Sequence, residues 1–184
     1  QMNLVPTAIE GLFIAETDLL SDYRGAFSRL FCEHELASAI GIRKIVQINR
    51  SLTISSGTVR GMHYQHPPHA ETKLVRCTKG RILDVAIDIR AGSPTLLQWH
   101  AEELSPQNAR MSIIPEGFAH GFQALEHDSE LLYLHTNFYR PEAEGGVLCS
   151  DPQLAIPWPL PVANLCDRDQ GYPILPRDFC GIKV

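Results

Sequence analysis

The sequence predicts an all-β protein whose antiparallel strands form a sandwich or a small barrel. Turn signals recur at close spacing along most of the chain, which is typical of short consecutive strands. Residues 82–89 alternate with period two, so that Ile82 and Ala86 share one face while Val85 and Ile87 share the other. One stretch at most, residues 33–40, is predicted to be helical, and Gly41 after it is a favourable C-terminal cap.

The remaining elements follow in chain order. The sequence predicts a strand at residues 8–17, a turn at residues 21–25, and apolar residues among polar ones at residues 44–53. Further strands are predicted at residues 74–77, 82–89, 96–104, 111–114, 118–125 and 130–138. Lys79 and Gly80 form a two-residue hairpin signal between the first two of these strands. The last part, residues 152–184, begins with a proline-rich stretch and is expected to wrap around the barrel, so that residues 1–184 form one domain.

Composition and charge limit the classes of function. A net charge of -5 argues against general affinity for nucleic acids or membrane surfaces. The apolar runs are far shorter than the roughly 20 residues that a membrane span requires. The five cysteines are scattered without a CxxC pair, and the sequence has no signal-peptide pattern. We therefore expect a cytoplasmic protein with reduced thiols.

Groups that bind anions, transfer protons or hold metals are concentrated in three stretches. Residues 58–73, TVRGMHYQHPPHAETK, contain Arg60, His63, His66, His69, Glu71 and Lys73. Residues 115–122, PEGFAHGF, add His120, and residues 131–139, LLYLHTNFY, add Tyr133, His135 and Tyr139. If these stretches are strands of one sheet or barrel, their side chains can meet in one cavity.

A metal site is one interpretation of the histidines. His63, His66 and His69 lie near Glu71, and His120 is a distant candidate partner. Histidine combined with carboxylate is a common ligand set for zinc, iron or manganese. The placement argues against chelation, because residues 66–69 form a His-Pro-Pro-His loop and spacing alone is a weak indicator.

Diphosphate binding and proton transfer are two further interpretations. Arg24, Arg60 and Lys73 are embedded in apolar or turn sequence, and arginine offers a planar fork where lysine offers a point charge. Each could equally be a surface cation. Histidine is the residue type that titrates nearest neutrality, and Tyr133 is a weak acid able to protonate a carbanion beside a base such as His63. No nucleophile elbow, Walker loop or dinucleotide motif is present.

Eight segments resemble the dTDP-4-dehydrorhamnose 3,5-epimerase family and follow its order over nearly the whole chain. They are DYRGAFSRLF at 22–31, VQINRS at 46–51, GTVRGMHYQ at 57–65, KLVRCTKG at 73–80, DVAIDIRAGSPT at 84–95, IPEGFAHGF at 114–122, ELLYLHTNFYRPEAEGG at 130–146 and DP at 151–152. The resemblance implies a cupin-type antiparallel jelly-roll barrel with few short helices. It also implies a homodimer that needs no metal or other cofactor and epimerises C3 and C5 of a dTDP-linked 4-keto-6-deoxy sugar.

The resemblance further implies roles for individual residues. His63 corresponds to the general base, Asp169 to the carboxylate that orients it, and Tyr133 to the general acid. Lys73 can stabilise the enolate that forms when a proton next to the C4 ketone is removed. The residues that correspond to nucleotide and diphosphate contacts are Arg24, Gln47, Asn49, Arg60, His120, Tyr139 and Glu144. Among these, Tyr139 corresponds to the aromatic residue that stacks on the thymine base.

Two residues depart from the family pattern. Arg29 stands where many members have glutamate and Arg50 where many have histidine, which leaves CDP or another carrier open beside dTDP. Inversion of C3 alone or of C5 alone also stays open, as does a non-catalytic cupin that binds a sugar nucleotide or a metal. The trio of His63, Tyr133 and Asp169 argues against a mere binding protein, which needs no such groups.

Overall fold

The strands form two antiparallel sheets around a shared apolar interior, in a computed structural model that describes residues 1–184. The order in the larger sheet is β1 (Met2–Pro6), β2 (Phe13–Thr17), β10 (Arg110–Ile114), β7 (Lys73–Lys79), β12 (Ser129–His135) and β5 (Gln47–Thr53). The order in the smaller sheet is β13 (Glu144–Gly146), β6 (Val59–Gln65), β11 (Phe118–Ala124), β8 (Ile82–Asp88) and β9 (Trp99–Leu104). A separate hairpin contains β3 (Leu20–Asp22) and β4 (Gly25–Phe27). The predicted all-β jelly-roll barrel is confirmed.

Helical structure is limited to α1 (Ala37–Ile40), α2 (Asp167–Gln170) and a 3₁₀ turn at Pro141–Ala143. α1 is the second half of the predicted helix, because residues 33–36 form a turn, and Gly41 follows it as the C-cap. α2 was not predicted, since four residues are too few to show a helical pattern. No helix has the length and apolar character needed to cross a membrane.

β8 carries buried apolar side chains on both of its faces. Ile82 and Ala86 belong to the cluster between the two sheets, whereas Val85 and Ile87 belong to a second cluster on the outer face of the smaller sheet. The C-terminal segment covers that outer face and adds buried Leu154 to the second cluster. This strand is therefore buried from both sides, as a central strand of a covered sheet is.

The C-terminal segment is tied to the smaller sheet by isolated bridges and side-chain hydrogen bonds. Ala163 bridges to Thr58 beside β6, and Ile182 bridges to Arg90 after β8. The indole N–H of Trp99 in β9 donates to the carbonyl of Leu154 at 2.8 Å. These contacts bring α2, which lies in this segment, next to β6.

The prediction of a hairpin at Lys79–Gly80 is wrong. β7 pairs with β10 and β12 in the larger sheet, whereas β8 pairs with β9 and β11 in the smaller one, so these residues carry the chain between sheets. Position 80 has no room for a side chain, because a Cβ on Gly80 would lie 2.5 Å from the hydroxyl oxygen of Ser129. Residues 8–12 also differ from the prediction, because they turn and β2 begins only at Phe13.

β6 and β11 approach each other so closely that both strands need glycine. A Cβ on Gly61 would lie 2.7 Å from the Cα of Gly121, and a Cβ on Gly121 would lie 2.5 Å from the carbonyl oxygen of Arg60. The register of the two strands places His63 opposite His120. The close approach therefore sets two of the predicted site histidines side by side.

Candidate active site

One cavity of about 680 Å³ collects most of the predicted site residues. Its walls come from both sheets and from residues 164–169 of the C-terminal segment. The predicted residues that line it are His63, Tyr133, Asp169, Lys73, Asn49, Arg60 and His120. Strands from two different sheets thus bring together side chains that are far apart in the sequence.

His63 and Asp169 form a short hydrogen-bonded pair on the wall made by β6 and α2. The ring Nε2 of His63 lies 2.6 Å from a carboxylate oxygen of Asp169, and the backbone N–H of Gly61 donates to the other oxygen at 3.0 Å. Burial alone would raise the pKa of Asp169, but these two hydrogen bonds outweigh it and lower the pKa to about 2. An ionised Asp169 favours the tautomer in which Nε2 carries the proton, which leaves the lone pair on Nδ1.

Tyr133 extends from β12, on the opposite sheet, and its hydroxyl is also fixed. The hydroxyl oxygen lies 2.8 Å from the hydroxyl oxygen of Ser51 on β5. Burial raises the pKa of Tyr133 to about 12, with a smaller opposing effect from the Ser51 hydrogen bond. The phenol therefore keeps its proton at neutral pH, as a proton donor must before it reacts.

Lys73, His120 and Asp84 form a chain of polar groups from the cavity into the barrel. Nδ1 of His120 lies 3.4 Å from Nζ of Lys73, and its Nε2 lies 2.6 Å from a carboxylate oxygen of Asp84. Burial lowers the pKa of both Lys73 and His120, and nearby carboxylates, Asp84 among them, oppose this effect. Both ring nitrogens of His120 thus have partners within the protein, and its imidazole stands next to Lys73.

Four predicted contact residues, Arg24, Gln47, Tyr139 and Glu144, do not line this cavity. Tyr139 and Glu144 are connected to its rim, because the Tyr139 hydroxyl donates to Glu144 at 3.0 Å and Glu144 accepts from Arg168 at 3.0 Å. Gln47 donates to the carbonyl of Asn137 at 2.9 Å. Arg24 is exposed at the turn between β3 and β4.

The two residues that depart from the family pattern take part in ion pairs outside the cavity. Arg29 lies 2.6 Å from Glu35, and Arg50 lies 3.2 Å from Glu130. Neither arginine lines the cavity. Within this chain, therefore, neither departure changes the wall around His63.

The histidines considered as metal ligands do not converge. His66 is exposed, and of the His63, His66 and His69 set only His63 lines the cavity. The structure contains no group of three or more histidine, cysteine, aspartate or glutamate side chains arranged to hold a metal ion.

Sequence reasoning missed three groups in the site, Ser51, Asp84 and Arg168. Nη2 of Arg168 lies 3.1 Å from Nε2 of His63, so a permanent cation stands beside the His63–Asp169 pair. Ser51 and Asp84 stand inside segments that carry the resemblance, and Arg168 directly precedes Asp169, which the resemblance also matches. Their partners lie on other elements and depend on tertiary packing, so only the motif neighbourhood could have pointed to them.

Groups able to accept and to release a proton on facing sheets of a jelly-roll barrel are typical of an isomerase that inverts a carbon centre. A family model described as dTDP-4-dehydrorhamnose 3,5-epimerase matches residues 6–177. The chain belongs to this family of enzymes.

Relatives and solved structures agree with that assignment over nearly the full length. A dTDP-4-dehydrorhamnose 3,5-epimerase from Shigella flexneri is 43% identical over 181 residues, covering 97% of this chain and 99% of the relative. The crystal structure of the Bacillus anthracis enzyme with TDP and pyrophosphate bound superposes with a TM-score of 0.91 at 36% identity, covering 95% of this chain and 100% of that one. The Legionella pneumophila enzyme in complex with dTDP-4-keto-L-rhamnose has a TM-score of 0.87 at 41% identity, covering 92% and 90%.

Proposed function

We propose that the protein inverts C3 and C5 of dTDP-4-dehydro-6-deoxy-D-glucose to give dTDP-4-dehydro-L-rhamnose. The observation that carries this proposal is the placement of the His63–Asp169 pair and of Tyr133 on different sheets around one cavity. The bound dTDP-4-keto-L-rhamnose of the Legionella pneumophila relative supports the substrate class.

The chemistry follows from the C4 ketone, which acidifies the C–H bonds at C3 and C5. His63 removes the proton from one face of the sugar, and the electron pair moves into an enolate with its charge on the C4 oxygen. Lys73 stabilises that charge, because it is half-buried and lines the cavity, where charges interact more strongly than in water. The enolate electron pair then forms a new C–H bond on the opposite face with the proton of Tyr133, which inverts the centre. The Tyr133 O–H bond breaks in this step, and the phenolate and the protonated His63 return to their starting forms by proton exchange with water.

Binding of the nucleotide is assigned to the cavity mouth and its rim. Arg60 keeps free N–H groups for a diphosphate, because its guanidinium donates only one N–H to Thr53 and one to the carbonyl of Leu52. Asn49 lines the cavity beside it. Tyr139, with Glu144 bound to its hydroxyl, offers an exposed aromatic face to the base.

Arg24 requires a second copy of the chain if it contacts the diphosphate. It stands on an exposed hairpin away from its own cavity, and this hairpin exposes the apolar side chains of Leu20, Tyr23 and Phe27. We therefore propose a homodimer in which the hairpin of one copy packs on the other and supplies Arg24 to its cavity. A reducing cytoplasm is consistent with the five free cysteines.

We propose that the reaction needs no metal, because the roles of base, acid and enolate stabiliser are all filled by side chains. Full activity is expected after exhaustive treatment with a chelator and removal of the chelator. Activity that disappears and then returns with one added divalent ion would contradict this expectation.

The proposed function is tested by NMR of the dTDP-4-keto-6-deoxyglucose substrate in deuterated water. The wild-type protein should introduce deuterium at C3 and C5 and invert both centres, whereas deuterium at one carbon only would indicate a single-centre epimerase. His63→Ala should lose exchange by about 10²- to 10⁴-fold, as loss of a general base does, and still bind dTDP. Tyr133→Phe should exchange deuterium with retained configuration, so that inversion falls much more than exchange.

Either of two results would contradict these roles. Exchange at the wild-type rate in His63→Ala would remove His63 from the mechanism. Equal loss of exchange and inversion in Tyr133→Phe would make Tyr133 a positioning residue, since a missing acid leaves the base-catalysed exchange in place.

A further inference from the structure

A third histidine–carboxylate pair stands at the cavity, and its histidine, His135, lies on the same strand as Tyr133. His135 follows Tyr133 by two residues on β12, so both side chains leave the strand on the same face. Nδ1 of His135 lies 3.1 Å from a carboxylate oxygen of Glu71, and Nε2 lies 3.1 Å from the side-chain nitrogen of Asn49. The side chains of His135 and Glu71 are only 12% and 13% exposed.

Both nitrogens of His135 are used by the protein. An imidazole that donates from Nδ1–H to Glu71 and accepts at Nε2 from the Asn49 amide is neutral and has no free nitrogen for a ligand. Two hydrogen bonds on opposite sides of the ring also fix its orientation. His135 is therefore poorly suited to direct contact with the substrate and well suited to hold another group in place.

The group that His135 contacts is the phenol of Tyr133. The two rings stack with centroids 6.1 Å apart and planes inclined by only 20°. Tyr133 also packs against the interior apolar cluster, and its hydroxyl bonds to Ser51. The phenol is thus held by the barrel interior, at its tip by Ser51, and by a flat ring that is itself clamped.

We propose that His135, clamped by Glu71 and Asn49, is a positioning residue that holds Tyr133 in line for proton delivery. This inference rests on the proposed function, because the position of the Tyr133 ring affects the reaction only if Tyr133 is the acid. Proton transfer is steeply sensitive to geometry, and misplacement of a reacting group by about 1 Å can cost about 100-fold in rate. Loss of the stacked ring should therefore impair inversion while leaving proton removal by His63 in place.

The test compares inversion with deuterium exchange in the full-length enzyme. His135→Ala should lower the ratio of inversion to exchange by about 10-fold, in the same direction as Tyr133→Phe but by less. In the Tyr133→Phe background, adding His135→Ala should leave that ratio unchanged, because two changes that act through one group are not additive. The control is His66→Ala, since His66 also contacts a tyrosine ring, that of Tyr64, but is exposed and does not line the cavity.

A milder variant covers the case in which His135→Ala does not fold. Glu71→Ala keeps the stacked ring but frees Nδ1, and it should lower the same ratio, whereas His66→Ala should not. An unchanged ratio in both cavity variants, or a loss of exchange as large as the loss of inversion, would overturn the inference while leaving Tyr133 as the acid. If Tyr133→Phe itself kept the wild-type ratio of inversion to exchange, Tyr133 would not be the acid, and the positioning role of His135 would be excluded as well.

Discussion

Asp169 shows how a single buried carboxylate is kept ionised at a cavity wall. Only 2% of its surface is exposed, and burial of a charge without partners is strongly unfavourable. Donors from His63 and from the Gly61 backbone satisfy both oxygens, and Arg168 adds a cation 3.5 Å away. The His63–Asp169 pair is therefore stabilised by its surroundings and also contributes to the stability of the fold.

The lowered pKa of Asp169 predicts a pH dependence of stability. A carboxyl whose pKa falls from 3.8 to about 2 on folding stabilises the protein above its unfolded pKa, and this contribution is lost as the pH falls through about 2. The difference in unfolding free energy between the wild type and Asp169→Asn should shrink by about 2 kcal/mol as the pH falls from 3.8 to about 2. Urea denaturation at a series of pH values measures it, with Asp167→Asn, an exposed carboxylate on the same helix, as control. A difference that does not vary with pH would contradict the prediction.

Tyr139 carries the prediction for the base pocket. Its side chain is 56% exposed, and stacking on a base is worth about 1–3 kcal/mol. Tyr139→Ala should weaken dTDP binding about 5- to 150-fold in calorimetry, since each 1.4 kcal/mol is a factor of ten. Tyr139→Phe keeps the ring, loses the bond to Glu144, and should bind almost as well as the wild type. Equal affinity of the wild type and Tyr139→Ala would leave Tyr139 outside the site, and tighter binding of CDP than of dTDP would overturn the assignment of the nucleotide.

At the scale of elements, local sequence predicts strands better than it predicts their partners. The alternation in β8 was visible in the sequence because side chains of a strand point to opposite faces. The strands that pair with β8 were not visible, because the hairpin signal at Lys79–Gly80 is local and gives the wrong partner. The residues that cover the outer face of β8, such as Leu154, also lie far along the chain. β8 is buried on both faces because the larger sheet covers one face and the C-terminal segment covers the other.

The same distinction holds for the site. Asp169 lies on a four-residue helix, and nothing in its own pattern points to His63, which is 106 residues away. The resemblance to a family supplied that pairing, whereas Ser51 and Arg168 were missed because their partners depend on strand pairing and on the path of the C-terminal segment. Chemical type alone did not separate the residues that line the cavity, such as His135, from those outside it, such as His66.

At the scale of the whole molecule, the exposed apolar surface is the feature that one copy leaves unexplained. Tyr23 is 97% exposed and Phe27 71% on the hairpin of β3 and β4, while Ile48 and Ile54, in and just after the edge strand β5, are 59% and 71% exposed. Removing apolar surface from water contributes about 25 cal/mol per Å², against which the entropy cost of association must be set. A homodimer that covers the hairpin and the β5 edge would also bring Arg24 to a cavity, since Ile54 lines that cavity.

The proposed homodimer makes a prediction that no single variant can test. Arg24→Ala and His63→Ala should each impair their own homodimers, the first through binding of the diphosphate and the second through loss of the base. In a heterodimer, the cavity with an intact His63 receives Arg24 from the other copy, so one complete site is restored. Equal mixing after co-refolding makes about half of the dimers heterodimers, each with one working site of two, so activity should approach about one quarter of the wild-type value. The measurement is inversion at subsaturating substrate, with two different affinity tags used to isolate the heterodimer. A purified heterodimer no more active than the mean of the two homodimers would place Arg24 outside the partner's cavity.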